Sequence, residues 1–190
     1  MSREELLTQW REEAARGMSG WDFSHIDGRY ETDPLPWDYR TRVKEFLRPG
    51  VRLLDLGTGG GELLLSLHHP YELTSVTEGW APNFELCRRK LEPLGITVKS
   101  YDSEQDDVLP FEDDSFDLVL SRHESYDLKE IHRVLKKGGF FVTQQVGGEN
   151  SLPLAKQLLP GFEGNFAGFN LENQLPKFRD AGFRIMVSDQ

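Results

Sequence analysis

The sequence is poor in cysteine, in basic residues and in long apolar runs. Its single cysteine, Cys87, excludes an intrachain disulfide framework and any multi-cysteine zinc site, and is compatible with a reducing compartment. No apolar stretch reaches the roughly 18 residues of a membrane-spanning helix, and residues 1–5 carry two glutamates rather than a secretion signal. We therefore expect a cytoplasmic protein with no membrane partner and no metal site.

Acidic residues outnumber basic ones. The chain has 22 Lys and Arg against 32 Asp and Glu, which gives a net charge of −10. Because a phosphate backbone is bound mainly through Lys and Arg, nucleic acid is a disfavoured partner. Short basic groups at 88–90 and 136–137 are typical of solvated surface.

The length of 190 residues predicts one domain, residues 1–190. We divide it into an N-terminal segment, residues 1–48, and an α/β core, residues 49–190. Helical spacing of apolar residues predicts a helix over 3–16, which we expect to pack across the domain, and a second over 36–47.

Four aromatic residues lie around the segment between these helices: Trp21, Tyr30, Trp37 and Tyr39. One interpretation is a lid over a bound cation, which aromatic faces attract. The other is that these side chains fill the core between the N-terminal helices and a sheet. The residue pattern favours neither.

Beyond residue 49, strand-like apolar runs alternate with helical patterns. The predicted strands are 51–56, 72–77, 97–101, 116–120, 139–146 and 183–188, and the predicted helices are 62–67, 82–91, 128–135 and 171–181. This alternation indicates βαβ units with right-handed crossovers. The sequence thus predicts a doubly wound, Rossmann-like α/β fold with a mostly parallel sheet and helices on both faces.

A glycine-rich turn, residues 57–61, follows the first predicted strand directly. Ligands of such sheets bind outside the carboxyl ends of the strands, and glycine lets them approach the backbone closely. A dinucleotide fingerprint counted from Gly57 requires a third glycine at its sixth position, and this chain has Glu62 there. Because Glu62 would repel a pyrophosphate and Asp55 adds a second acid, a cationic ligand without phosphate suits this turn better.

Four segments in order resemble the class I S-adenosylmethionine-dependent methyltransferases. The turn resembles that family's first motif through Asp55, Gly57, Thr58, Gly59 and Gly61. The second predicted strand ends at Glu78, similar to the family's ribose-binding acid, and 109–119 and 133–139 are similar to downstream signatures. The resemblance covers roughly residues 40–187.

The resemblance implies a cofactor and a set of residues that hold it. The cofactor is S-adenosylmethionine, which becomes S-adenosylhomocysteine after transfer. The glycine turn and Asp55 form its site, Glu78 accepts hydrogen bonds from both ribose hydroxyls, and Asp102 and Ser103 hold the adenine. Asp106 and Asp107 lie nearby and leave the adenine assignment open.

His123 is the candidate catalytic residue. It follows the fourth predicted strand, where base-modifying relatives carry an Asn/Asp-Pro-Pro-aromatic tetrad that is missing here. An imidazole in this place can remove a proton from a hydroxyl, thiol or amine. The alternative is that His123 or Glu124 only holds the loop, because positioning alone can drive methyl transfer.

The resemblance also fails at one place. The family has seven strands, and this chain ends at Gln190 directly after the predicted strand 183–188. We therefore expect the final strand to be absent, leaving an open edge through which a homodimer can form.

Several functions fit this pattern. The leading hypothesis is a methyltransferase acting on a small molecule. Alternatives are an RNA or protein methyltransferase, a non-catalytic S-adenosylmethionine-binding module and a nucleotide-dependent oxidoreductase, the last disfavoured by Glu62.

Overall fold

The computed structural model describes residues 1–16, 24–164, 166 and 168–190. One sheet contains five parallel strands: β1 (Leu53–Leu56), β2 (Thr74–Glu78), β3 (Thr97–Ser100), β4 (Phe116–Arg122) and β5 (Leu135–Gln144). Their spatial order is β3-β2-β1-β4-β5. The predicted doubly wound parallel sheet is confirmed, and its strand order reverses between β1 and β4.

The helices are α1 (Arg3–Ala15), α2 (Tyr39–Lys44), α3 (Glu62–Ser66), α4 (Ala81–Leu91), α5 (Leu128–Val134), α6 (Leu152–Leu158) and α7 (Leu171–Asp180). Short 3₁₀ turns occupy Ser24–Ile26, Tyr71–Leu73 and Glu92–Leu94. Side-chain caps explain where several helices begin: Asp127, for example, accepts hydrogen bonds from the backbone N–H groups of Lys129 and Glu130. Within the described ranges, no helix is long and apolar enough to cross a membrane.

Two apolar clusters cover the two faces of the sheet, as side-chain alternation along β1 requires. Leu53 points to a cluster with the buried residues Val43, Leu64, Cys87 and Leu91 of α2, α3 and α4. Leu54 points to the opposite cluster, where Ile131 and Val134 of α5 pack with Leu109, Phe116 and Val119. On the same side Phe178 of α7 stacks on Phe141. Helices therefore lie on both faces.

The register of the strands brings their carboxyl ends to one edge. Leu56 of β1 is opposite Ser121 of β4, and Glu78 of β2 is opposite Ser100 of β3. The loops that follow these four strands are therefore neighbours. This edge holds the candidate site.

The predicted strand 183–188 is wrong. Residues 181–190 form no strand or helix, although all of them are described. The Phe183 backbone N–H donates to the carbonyl of Phe178, and the Phe183 ring packs against His132 and Phe141. Phe183, one of the apolar residues that suggested a strand, is thus partly shielded from solvent by side-chain packing against α5 and β5 rather than by strand pairing.

Two other expectations also need correction. We expected α1 to pack across the domain, but apart from the half-buried Leu6 and Glu13 its residues are exposed, Trp10 by 58%. Its apolar stripe is too narrow among Arg and Glu to bury a face.

The helix α6 was not predicted, although its proline in the first turn is a helix-start signal.

Candidate active site

The glycine turn runs from the end of β1 into α3. Gly57, Gly59 and Gly61 have φ angles of 59°, 61° and 76°, in the left-handed region that disfavours a side chain. The Thr58 backbone N–H donates to the carbonyl of Thr77 at 3.1 Å, which ties the turn to β2. The predicted turn thus takes a shape that needs its glycines.

Helix α4 supports the turn from behind. The Cys87 thiol donates to the carbonyl of Gly59 at 2.8 Å, and Lys90 Nζ lies 2.6 Å from the carbonyl of Gly60 and 2.7 Å from Glu62 Oε1. Sequence reasoning missed both contacts, since it treated Lys90 as solvated surface and gave Cys87 no role at the turn. Their spacing of three residues, which places them on one helix face, was the available signal.

Glu78 closes the other side of the turn. Its Oε2 accepts a hydrogen bond from the Gly59 backbone N–H at 2.8 Å, and its Oε1 accepts one from Trp80 at 3.1 Å. The residue is only 5% exposed, and burial raises its pKa while these hydrogen bonds oppose the rise. A carboxylate oxygen can accept a second hydrogen bond, so both oxygens remain able to bind a ligand hydroxyl.

Asp55 lies beneath the turn and is buried. Burial raises the pKa of Asp55 to about 7, with Glu78 adding to the rise and Thr58 and Arg122 opposing it. A nearby positive charge would stabilise the ionised form of this carboxyl.

Asp102 and Ser103 occupy the loop after β3. A Cβ on Gly79 would lie 2.8 Å from the Cβ of Asp102, so this loop touches the end of β2 closely. The carboxylate of Asp102 accepts from the Glu104 backbone N–H at 2.9 Å and from Gln105 Nε2 at 2.6 Å. Ser103 Oγ is hydrogen bonded to Ser125 Oγ at 2.9 Å, which joins the loops after β3 and β4.

His123 begins the loop after β4 with a φ of 61°, uncommon for a residue with a side chain. Its backbone N–H donates to the carbonyl of Gln144 at 2.9 Å, which fixes it at the end of β5. The residue is exposed, yet partial enclosure of the ring lowers its pKa, and Arg122 lowers it further. The imidazole is therefore neutral at pH 7 and can accept a proton.

Glu124 is a further acid that lies against the turn, and sequence reasoning considered it only as a loop-holding residue. A Cβ on Gly57 would overlap its side chain. Burial, together with the negative charges of Glu78, Asp102 and Glu104, raises the pKa of Glu124 to about 7. Its backbone carbonyl accepts from Gln145 Nε2 at 3.0 Å and from Ser121 Oγ at 2.9 Å.

The four aromatic residues behave differently from one another. Tyr39 is buried in the core and its hydroxyl donates to the carbonyl of Val142 at 3.0 Å, so it packs α2 against the ends of β4 and β5. Tyr30 is 52% exposed and Trp37 is half-buried. Trp21 lies outside the described residues. An aromatic lid stays a prediction.

The cleft between these loops is acidic and suits a cationic ligand. No lysine, arginine or histidine forms an ion pair with Asp55, Glu78, Asp102 or Glu124 in the part of the chain that the structure describes. The turn also lacks a cation aimed at a ligand, because Lys90 is bonded to Glu62 and Gly60. A ligand with positive charge and no phosphate fits this set of groups, and S-adenosylmethionine is such a ligand.

The chain is thus a doubly wound α/β protein with a cofactor cleft at its switch point. Residues 54–143 match the family described as methyltransferase domain. This match assigns residues 54–143 to a methyltransferase domain family, and the similarities below include S-adenosylmethionine-dependent methyltransferases, whose cofactor is S-adenosylmethionine.

Two curated relatives come from mycobacteria. The phthiotriol/phenolphthiotriol dimycocerosates methyltransferase of Mycobacterium tuberculosis is 28% identical over 158 residues, covering 70% of this chain and 57% of that protein. Methyltransferase 1 of the same description from Mycobacterium ulcerans is 29% identical over 169 residues, covering 75% and 60%. The chain therefore spans less than two thirds of the length of these relatives.

Solved structures give the same family. A Thermotoga maritima S-adenosylmethionine-dependent methyltransferase, described as a possible histamine N-methyltransferase, is 26% identical with a TM-score of 0.57, covering 77% of this chain and 70% of that one. An Aquifex aeolicus S-adenosylmethionine-dependent methyltransferase is 20% identical with a TM-score of 0.58, covering 87% and 86%. The second likeness supports the fold alone.

Proposed function

We propose that this chain transfers a methyl group from S-adenosylmethionine to a small-molecule acceptor. One observation carries the proposal: Glu78 is bonded to the glycine turn in an acidic cleft, where no cation pairs with it among the described residues. Such a cleft attracts a positively charged cofactor and repels phosphates.

Each loop has a task in this proposal. The glycine turn lets the cofactor approach the backbone, and the free lone pairs of Glu78 accept hydrogen bonds from the ribose hydroxyls. Asp102 and Ser103 border the adenine. When bound, S-adenosylmethionine supplies a methyl group on a positively charged sulfur. The sulfur is the leaving group and keeps the electron pair of the broken carbon–sulfur bond.

The loop after β4 serves the acceptor. His123 holds a neutral imidazole at the start of that loop and removes the proton that the acceptor loses as its lone pair attacks the methyl carbon. Its backbone hydrogen bond to Gln144 and its left-handed conformation keep the ring at this edge. Positioning of the two reactants supplies much of the rate, because the leaving group is already activated.

Three observations favour a small acceptor. The net charge of −10 disfavours nucleic acid, and no Asn/Asp-Pro-Pro-aromatic tetrad follows β4. The relatives are named for phthiotriol and phenolphthiotriol dimycocerosates, and the Thermotoga protein for histamine as a possibility. The single cysteine agrees with a cytoplasmic location.

A release assay for S-adenosylhomocysteine tests the proposal. The full chain is incubated with S-adenosylmethionine and separate pools of phenols, aliphatic alcohols, imidazole amines, thiols, RNA and peptides. We expect release above background with at least one small-molecule pool and none with RNA or peptides. Release with RNA or peptides alone, or cofactor binding without release in any pool, contradicts the proposal.

Two variants control the assay. Glu78→Ala removes the ribose-binding acid and should lower release together with cofactor affinity. Glu72→Ala removes an exposed acid just before β2 and should change neither. Equal behaviour of the two variants contradicts the assignment of Glu78.

A further inference from the structure

Glu124 has a place in the cleft that the roles above leave unexplained. Its side chain lies against Gly57, at a position that would overlap any Cβ there. Glu124 is therefore a side chain of the loop after β4 that lies against the backbone of the turn, which a bound cofactor must approach closely. Any ligand bound along the turn has to contact Glu124 or displace it.

Among the described residues, none forms an ion pair that balances the charge of Glu124. Glu78, Asp102 and Glu104 are the charged groups that act on it, all of them negative, and only the Ser125 backbone N–H opposes the effect of burial. The ion pairs of the described residues all lie elsewhere. Ionising a half-buried carboxyl that has no partner of opposite charge costs free energy. A ligand cation beside Glu124 would form the missing charge pair and would therefore be bound more tightly.

The loop itself is rigid enough to keep Glu124 in place. Gln145 Nε2 donates to the Glu124 carbonyl and also to Ser121 Oγ at 3.1 Å, and Ser121 donates to the same carbonyl. These bonds fix the backbone of residue 124 and leave its carboxylate directed toward the turn. The arrangement therefore presents a negative charge rather than merely filling space.

Resting on the proposed function, we propose that Glu124 contacts the sulfonium of S-adenosylmethionine and makes the cleft prefer the charged cofactor to the uncharged sulfur of S-adenosylhomocysteine. The methyl group must face the acceptor near His123, so the sulfur lies between the glycine turn and the loop after β4. Glu124 joins these two elements. Methyl transfer removes the positive charge, so the attraction ends when the product forms.

The test compares three ligands on Glu124→Gln, which keeps the size and removes the charge. The ligands are S-adenosylmethionine, S-adenosylhomocysteine and sinefungin, in which a carbon bearing an ammonium replaces the methylated sulfur. Calorimetric titration should show S-adenosylmethionine and sinefungin bound about tenfold more weakly, as expected for a lost charge pair, and S-adenosylhomocysteine within a factor of about two.

Glu104→Gln is the matched control, because Glu104 is exposed in the same acidic field without touching Gly57. It should leave the preference between the charged and uncharged ligands within a factor of about two. A Glu104→Gln loss equal to that of Glu124→Gln would mean that only the general field matters, which overturns the proposal.

Other outcomes are equally decisive. Equal weakening of all three ligands would assign Glu124 to the ammonium that they share, and tighter binding by Glu124→Gln or Glu124→Ala would show that it only fills the cleft. Either result overturns the sulfonium contact. The wild-type titration separates the two levels: if the wild type binds none of the ligands, the proposed function fails as well.

Discussion

The glycine turn after β1 and the loop after β4 meet at one edge of the sheet but are held in different ways. The turn is fixed by hydrogen bonds that its backbone N–H and carbonyl groups form with Thr77, Glu78, Cys87 and Lys90. In the loop after β4 the backbone is fixed and the side chains of His123 and Glu124 are left for a ligand. We infer that backbone shape and charge, including the charge of Glu124, select the cofactor, and that His123 serves the acceptor.

The largest effect should come from the acceptor side. In His123→Ala, turnover should fall by ~10² or more, the usual scale for a lost general base, while S-adenosylhomocysteine affinity stays within a factor of about two. Steady-state rates with an acceptor found in the release assay, together with calorimetry, measure both quantities.

His132→Ala is a matched control, because His132 is an exposed histidine of α5 whose ring packs on Phe183, away from the loop after β4. It should leave turnover per folded molecule unchanged. If His123→Ala lowers cofactor affinity or melting temperature and keeps turnover, His123 is a structural residue and the two sides of the cleft do not divide as described.

On the cofactor side, Glu78→Ala should weaken S-adenosylmethionine binding by roughly 1.5 to 3 kcal/mol, the range for hydrogen bonds to a charged group. The loss also frees the N–H groups of Gly59 and Trp80. Calorimetry and far-ultraviolet circular dichroism check affinity and fold together. An unchanged dissociation constant with the fold intact would remove Glu78 from the site.

Gly57→Ala tests the shape of the turn. A left-handed alanine costs roughly 1 to 2 kcal/mol, and here its Cβ also meets Glu124. Gly50→Ala is matched, since Gly50 has a φ of 84° with nothing within 4 Å of an added Cβ. Gly57→Ala should lose at least as much thermal stability as Gly50→Ala, but only Gly57→Ala should bind S-adenosylmethionine about tenfold more weakly. Equal affinities would mean that the turn tolerates a side chain.

The smallest expected effect is that of pH. Burial is the largest cause that raises the pKa of Asp55 and of Glu124 to about 7. For Asp55, Glu78 adds to the rise while Thr58 and Arg122 oppose it. For Glu124, the negative charges of Glu78, Asp102 and Glu104 add to the rise while the Ser125 backbone opposes it. Both carboxyls have a raised folded-state pKa, so their contribution to the stability of the ligand-free protein is present below about pH 4 and lost as pH rises through about 7.

A cationic ligand reverses this trend. Ionised carboxylates attract it, so S-adenosylmethionine should bind about three- to tenfold more tightly at pH 8 than at pH 6. Thermal shift measurements at both values, with and without cofactor, check the sign: the gain in melting temperature should be larger at pH 8. A larger gain at pH 6 would show that these acids do not face the positive charge.

Much of the cofactor side was predictable from the sequence. The strand before the turn, the glycines and the acid at Glu78 are local patterns whose spacing carries their meaning. The contacts of Cys87, Lys90 and Glu124 with the turn join residues about 30 to 70 positions apart, so a local pattern such as the shared helix face of Cys87 and Lys90 does not identify the turn as their partner. The same reason explains residues 183–188, where packing of Phe183 on α5 and β5 overrides an alternating pattern.

Calorimetric titration of the wild-type protein measures whether this cleft selects a cationic cofactor without phosphate. We expect S-adenosylhomocysteine to bind in the low micromolar range, on the order of −8 kcal/mol, S-adenosylmethionine to bind more tightly than its product, and NAD to give no measurable heat of binding. NAD binding equal to or tighter than that of S-adenosylmethionine would contradict the account.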